Sequence, residues 1–146
     1  MKAKVRAFAL LCALAAAASS LGAGTPILAK ALAVGQMQAT TIHANKGAMI
    51  LETYTVNPGG SFGWHAHGAP AAVVVTAGTL TVFDPSVNGC TPFKVSKGQS
   101  FVEPANHVHL GRNDGTKPAK VYVLYLGVPK ASAAYIPKTE PAGCNA

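Results

Sequence analysis

Four of the five histidines fall in two pairs of identical spacing, His65-Ala66-His67 and His107-Val108-His109. Alternate residues of an extended strand point to the same face. Each pair can therefore aim two imidazoles at one point. Neutral imidazole is the commonest metal ligand among side chains. Two such pairs meeting across a fold would present three or four nitrogens. That donor set suits Zn, Fe, Cu or Ni and not Mg or Ca. The plainer reading of either pair alone is a set of hydrogen-bonded or surface histidines near turns. His43 stands by itself before Asn45-Lys46-Gly47 and reads as a surface residue.

The elements that must carry these residues are short strands. Met49–Val56, Ala71–Thr76, Thr79–Phe83, Phe93–Val95, Ser100–Glu103 and Lys120–Leu126 are rich in β-branched and aromatic residues. Gly and Pro turns separate them. Ser61–His67 and His107–Leu110 read as further short extended stretches. No long stretch with a helical period follows the first residues, and no internal repeat is found. The pattern is all-β, a sandwich or barrel. The 146 residues suit one domain. The chain is 49% apolar and 12% charged, with 15 Gly and 10 Pro. That balance opposes a coiled coil and charged disorder. The expected organisation is a leader over 1–23, an arm over 24–48, the β domain over 49–127 and a tail over 128–146, irregular from Pro129. Thr25–Val34 reads as a short arm or one helical turn.

The leader is a secretory signal peptide by its three-part pattern. Lys2, Lys4 and Arg6 precede twelve uncharged residues, Ala7–Ala18, and Ser19–Ala23 supplies small residues for cleavage. Cleavage after Ala23 fits, and Ala31-Leu32-Ala33 is a second candidate site. Twelve residues fall short of the roughly 20 that span a bilayer, so no stable membrane anchor is expected. The product is exported, to the periplasm or the medium. Losing Lys2, Lys4 and Arg6 lowers the formal charge from +7 to +4, because nine basic and five acidic residues remain. The nine are scattered, which argues against nucleic acid. Loss of the leader also removes Cys12 and leaves Cys90 and Cys144. An even pair in an exported chain reads as a disulfide. It would close a long loop and stabilise by roughly 4 kcal/mol.

Two motifs now bear on identity. Gly59, five residues, His65-x-His67 and then Gly78 resembles the first motif of the cupin superfamily. Gly98, five residues, Pro104-x-Asn106-x-x-His109, three residues and Asn113 resembles the second. The chain resembles the small, secreted, single-domain bacterial cupins. The resemblance implies a jelly-roll β-barrel around one divalent transition metal (Fe, Ni, Cu, Zn or Mn) held by His65, His67 and His109. The usual Glu of the first motif would fall at Ala71 or Ala72 and is missing. Three neutral imidazoles would leave the metal's charge uncompensated and favour a small anionic ligand. His107 lies outside the pattern, as a fourth ligand, an outer hydrogen-bond donor or a proton shuttle. Glu103 could replace the missing carboxylate or orient a histidine, though a solvated strand end is the plainer reading. Asn106 replaces a usual Gly and tolerates a left-handed backbone.

Phe62 shares the parity of His65 and His67 and would line the pocket, whereas Trp64 would pack away from it. Arg112 would pair with a carboxylate in the pocket or cap the turn before Asn113. No Ser-His-Asp spacing, G-x-S-x-G, P-loop or G-x-G-x-x-G is present. Three functions fit this reading. The first is a metal-dependent oxidoreductase of dioxygenase type. The second is a non-catalytic metal or small-ligand binding protein, and the third a metal-free interaction module. Dimers are common in the superfamily, so the resemblance leaves a homodimer open; the sequence does not settle the oligomeric state.

Overall fold

In the computed structural model, residues 29–146 are described. The signal-peptide reading of 1–23 and the start of the arm lie outside them. The chain divides into Met1–Lys30 and Ala31–Ala146, and the second unit contains all the elements below.

Nine strands form in chain order: β1 Ala48–Val56, β2 His65–Ala66, β3 Ala71–Ala77, β4 Thr79–Phe83, β5 Phe93–Ser96, β6 Ser100–Glu103, β7 Leu110–Arg112, β8 Ala119–Val128 and β9 Ile136–Pro137. Six run close to the expected bounds. The arm is extended and makes no helical turn over its described part. Gln36 bridges the backbone of Gln99 at the start of β6.

A four-stranded sheet has the order β1-β8-β3-β6, and a three-stranded sheet the order β5-β4-β7. All of these neighbouring pairs are antiparallel. β2 and β9 form a separate ribbon. The expected closed barrel is therefore resolved into two sheets and a ribbon. The short β7 carries only three residues of pairing, which leaves the ladder open between the sheets.

The two sheets share one core. Val73 and Val75 of β3 and Val121, Val123 and Tyr125 of β8 meet Leu80 and Val82 of β4 and Val95 of β5. Buried and half-exposed residues alternate along β3 and β8, as a strand with one buried face requires. Gly78 makes the β3–β4 turn with φ +67°, and a Cβ there would sit 2.8 Å from the Ala119 Cα. Both facts restrict the position to glycine.

The second motif's Asn113 is a structural lock. Its buried side-chain amide donates to the carbonyls of Val56 and Lys117, each at 2.8 Å, and its Oδ1 accepts from Gly115 N–H. This joins β1 to the β7–β8 connection. A smaller cluster of Phe83, Cys90, Leu110 and Cys144 packs with Trp64. There Cys90 and Cys144 are disulfide-bonded, as expected. The bond is compatible with an oxidising compartment. Among the described residues no helix is long and apolar enough to cross a membrane.

Candidate metal centre

His65 opens β2, and His109 immediately precedes β7. The two residues form a backbone bridge, His65 N–H to His109 O at 3.0 Å and His109 N–H to His65 O at 2.9 Å. The bridge places their rings 4.4 Å apart. His67 lies two residues past His65 and brings a third ring to the same point. The candidate ligand atoms all lie within 4.8 Å of one another. The three residues are only 5%, 2% and 2% exposed.

Each imidazole has its Nδ1 at a backbone carbonyl: His65 at Gly63 O (2.9 Å), His67 at Ala134 O (2.5 Å) and His109 at His107 O (3.0 Å). A carbonyl only accepts, so each Nδ1 carries the proton and donates it. The lone pair then resides on Nε2. Metal-binding histidines are oriented in this same way.

Of the two readings of Glu103, the structure sets aside the solvated strand end and favours the carboxylate beside the histidines. Its side chain is 14% exposed. Its carboxylate oxygens lie 3.1 Å from His67 Nε2 and 3.3 Å from His109 Nε2. The cause is strand register. Ala71, one of the two positions where the usual Glu of the first motif would fall, pairs directly with Glu103 across β3 and β6. The carboxylate thus reaches the site from the neighbouring strand.

His107 is corrected in the other direction. It is exposed, and its ring approaches Ser86 Oγ at 3.5 Å. The strand that should have aligned it with His109 begins only at Leu110. Asn106 turns the chain in the left-handed region, φ 62°. The carbonyl of His107 serves the centre through His109 Nδ1, and His107 lines a second cavity, of about 180 Å³, together with Glu103 and His109.

Phe62 lines the cavity beside the histidines, as expected. Arg112 does not. Its guanidinium lies 4.8 Å from the Phe83 ring centre, and its Nε donates to Asp114 at 2.6 Å. Trp64 packs against Phe83. His43 is exposed in the arm, as its surface reading has it.

Burial pushes the His65 imidazole down to about 4, against the partial support of its bond to Gly63. Burial likewise lowers His109, although the Glu103 charge opposes this. For Glu103, burial would raise the carboxyl. The neighbouring His67 and the other two histidines outweigh burial and hold it below its ordinary value.

The adjoining cavity has a volume of about 30 Å³ and is walled by Tyr54, Phe62, Phe101, Tyr125 and Tyr135. That is room for about two waters. Tyr125 packs edge-on to His67, with ring centres 5.0 Å apart. Its hydroxyl lies 3.4 Å from that of Tyr54, which donates to the Glu52 carboxylate. Burial raises both phenols above their ordinary range, so both stay protonated at neutral pH.

Sequence reasoning missed the site roles of Tyr54, Tyr125 and Tyr135. The first two had a signal, the buried parity of β1 and β8. Tyr135 had none beyond its place before Cys144.

The fit to a metal is testable on the atoms themselves. His109 Nε2 is a buried nitrogen with no hydrogen-bond partner. An unprotonated imidazole nitrogen in that position, with two others and a carboxylate beside it, is a donor set for a transition metal.

The family model described as Cupin domain matches residues 52–125. The chain belongs to the cupin family. Among solved structures it resembles the polyketide cyclase RemF from Streptomyces resistomycificus, at 15% identity and TM-score 0.53. That match covers 66% of this chain and 65% of that one. It also resembles the structure of the DMSP lyases RdDddP and RnDddQII, at 21% identity and TM-score 0.53, over 62% of this chain and 44% of that chain. Oxalate oxidase matches at 23% identity and TM-score 0.50, over 61% and 45%. The cupin thus spans 44% to 65% of the lengths of these proteins. At such identities the likeness is one of fold. No curated protein matches the chain.

Proposed function

We propose that this cupin is an exported oxidoreductase of dioxygenase type, with one divalent transition metal on His65, His67, His109 and Glu103. One observation carries the metal. On His67 and His109 both ring nitrogens face oxygen acceptors, a backbone carbonyl on one side and Glu103 on the other. A neutral imidazole has one N–H and cannot serve both. Protonating both rings would bury two charges at a place where burial already disfavours the His109 cation. A metal ion taken by the Nε2 lone pairs and the carboxylate removes the conflict. Fe, Ni, Cu, Zn and Mn fit the donor set, and a redox-active one would supply oxygen and electron-transfer chemistry.

The protein's own groups then have definite tasks. Glu103 cancels one unit of the metal's charge, so attraction for anions is weaker than three histidines alone would give. A small monoanion is the ligand class that fits. Tyr54 gives its hydroxyl proton to Glu52, and the protonated Tyr125 hydroxyl beside the cavity can donate to a substrate oxygen. The aromatic walls exclude water, which strengthens electrostatic interactions inside.

The size of the cavity favours a second reading. At about 30 Å³ it admits a few atoms unless a wall moves. A non-catalytic extracytoplasmic holder of metal or small ligand would need no more space.

Two measurements test the pair. Metal content by mass spectrometry, on protein purified without a His-tag, should give about one metal per chain, and none in His65→Ala/His109→Ala. Oxygen uptake by the metal-loaded protein is then followed over a panel of small carboxylates. Uptake that requires His109 supports the oxidoreductase. Stoichiometric metal without turnover supports the holder. No metal in either folded protein overturns both.

A further inference from the structure

The C-terminal tail was expected to be irregular, yet it meets the centre at several points. Ile136 and Pro137 pair with Ala66 and His65 as β9. Ala134 O accepts the His67 Nδ1 proton. The Tyr135 ring stacks on His65, with centres 4.7 Å apart and planes 21° from parallel. The Tyr135 hydroxyl donates to Phe62 O at 2.6 Å. Gly68 N–H donates to Ala133 O, and Lys138 N–H to Trp64 O. Residues 133–138 therefore hold the histidine strand on both sides of His65 and His67. The disulfide Cys90–Cys144 fastens the far end of this strap.

We propose that the strap is a working part of the metal centre, with Tyr135 as its positioning residue. The proposal rests on the reading that the three histidines hold a metal. The stack fixes the plane of the His65 ring. The Ala134 carbonyl fixes the tautomer and direction of His67. A strap held at one end by β9 and at the other by a covalent bond cannot drift, so both Nε2 lone pairs stay aimed. Tyr135 is 45% exposed and also lines the cavity, so it covers the cavity mouth.

The test uses Co(II) as the probe metal, with affinity read by chelator competition and geometry by the visible absorption bands. Wild type, Tyr135→Phe, Tyr135→Ala and Cys90→Ser/Cys144→Ser are compared, with thermal melts of the metal-free proteins alongside. Tyr135→Phe keeps the stack and should bind as wild type. Tyr135→Ala should bind about 10–100-fold more weakly, the usual cost of losing an outer partner of a ligand, and its bands should shift. The double serine variant should also weaken binding, by less, because β9 remains. If Tyr135→Ala does not fold, the serine variant carries the test alone. Wild-type affinity and bands in the folded variants that lack the stack or the disulfide overturn the proposal. A wild type that takes up no cobalt overturns the metal reading, and the proposal with it.

Discussion

His65-x-His67 and His107-x-His109 have the same spacing and opposite outcomes. The first pair starts on a strand whose His65 is fixed on two sides, by β9 and by the bridge to His109, and His67 follows directly after it. Its imidazoles converge. The second pair straddles the end of a turn, and only His109 enters the site. The other histidine faces solvent and lends its carbonyl. Spacing of two residues thus makes a ligand pair only where each residue is held separately, here His65 by backbone pairing and His67 by its bonds with Ala134 O and Asn106 N–H. The hydrogen bonds around the motif decide, and the motif itself does not.

The sharpest way to break this comparison is to remove one imidazole from each pair. His67→Ala should abolish metal binding, a loss beyond the roughly 100-fold typical of an outer partner. His107→Ala should leave metal content and affinity unchanged. Equal losses in the two variants, measured by metal analysis and chelator competition, would restore His107 as a ligand. Glu103→Gln comes next. It keeps the shape and deletes the charge that faces His67 and His109. Affinity should fall by about 10–100-fold if the carboxylate acts at or beside the metal. A solvated strand end predicts no change.

The third prediction concerns acid, in the metal-free protein. Above about pH 6.5 His65 is neutral both folded and unfolded and contributes no pH dependence. Below that, the unfolded chain binds a proton that the folded chain refuses until about pH 4. Stability is therefore lost as pH falls from about 6.5 to about 4, by on the order of 3 kcal/mol. Urea melts at pH 7 and pH 4.5 measure this. His65→Leu should shrink the difference and leave the part that His109 contributes.

Much of the site was legible because its residues are local. Gly59, His65, His67 and Gly78 keep their motif spacing, and so do Gly98, Pro104, His109 and Asn113. Six strands declared themselves by composition. What stayed hidden was long-range. Glu103 looked like a strand end because nothing near it in sequence shows that it pairs with residue 71. The tail looked irregular because β9 is two residues long and gains its meaning from partners about 70 positions away. The disulfide was the one clue to that contact. His107 was misplaced for the opposite reason, since a local alternation rule was extended past a turn. Closure of the barrel failed likewise, because strand composition says nothing about how many residues β7 pairs.

Asn106 yields the smallest effect and tests what separates the two pairs. It sits at φ 62°, and its N–H donates to His67 O at 2.7 Å. A left-handed conformation costs an ordinary side chain about 1–2 kcal/mol, more readily tolerated by Gly and Asn. Asn106→Gly should keep stability within a few tenths of a kcal/mol of wild type. Asn106→Val should lower it by about 1–2 kcal/mol, read as a shift in urea midpoint at unchanged slope. Neither should move metal affinity much, because His109 is held by its backbone bridge to His65 and not by the turn. A valine variant of wild-type stability would mean that the turn does not depend on a left-handed residue. A valine variant that loses metal would mean that the turn, and not the bridge, aims His109.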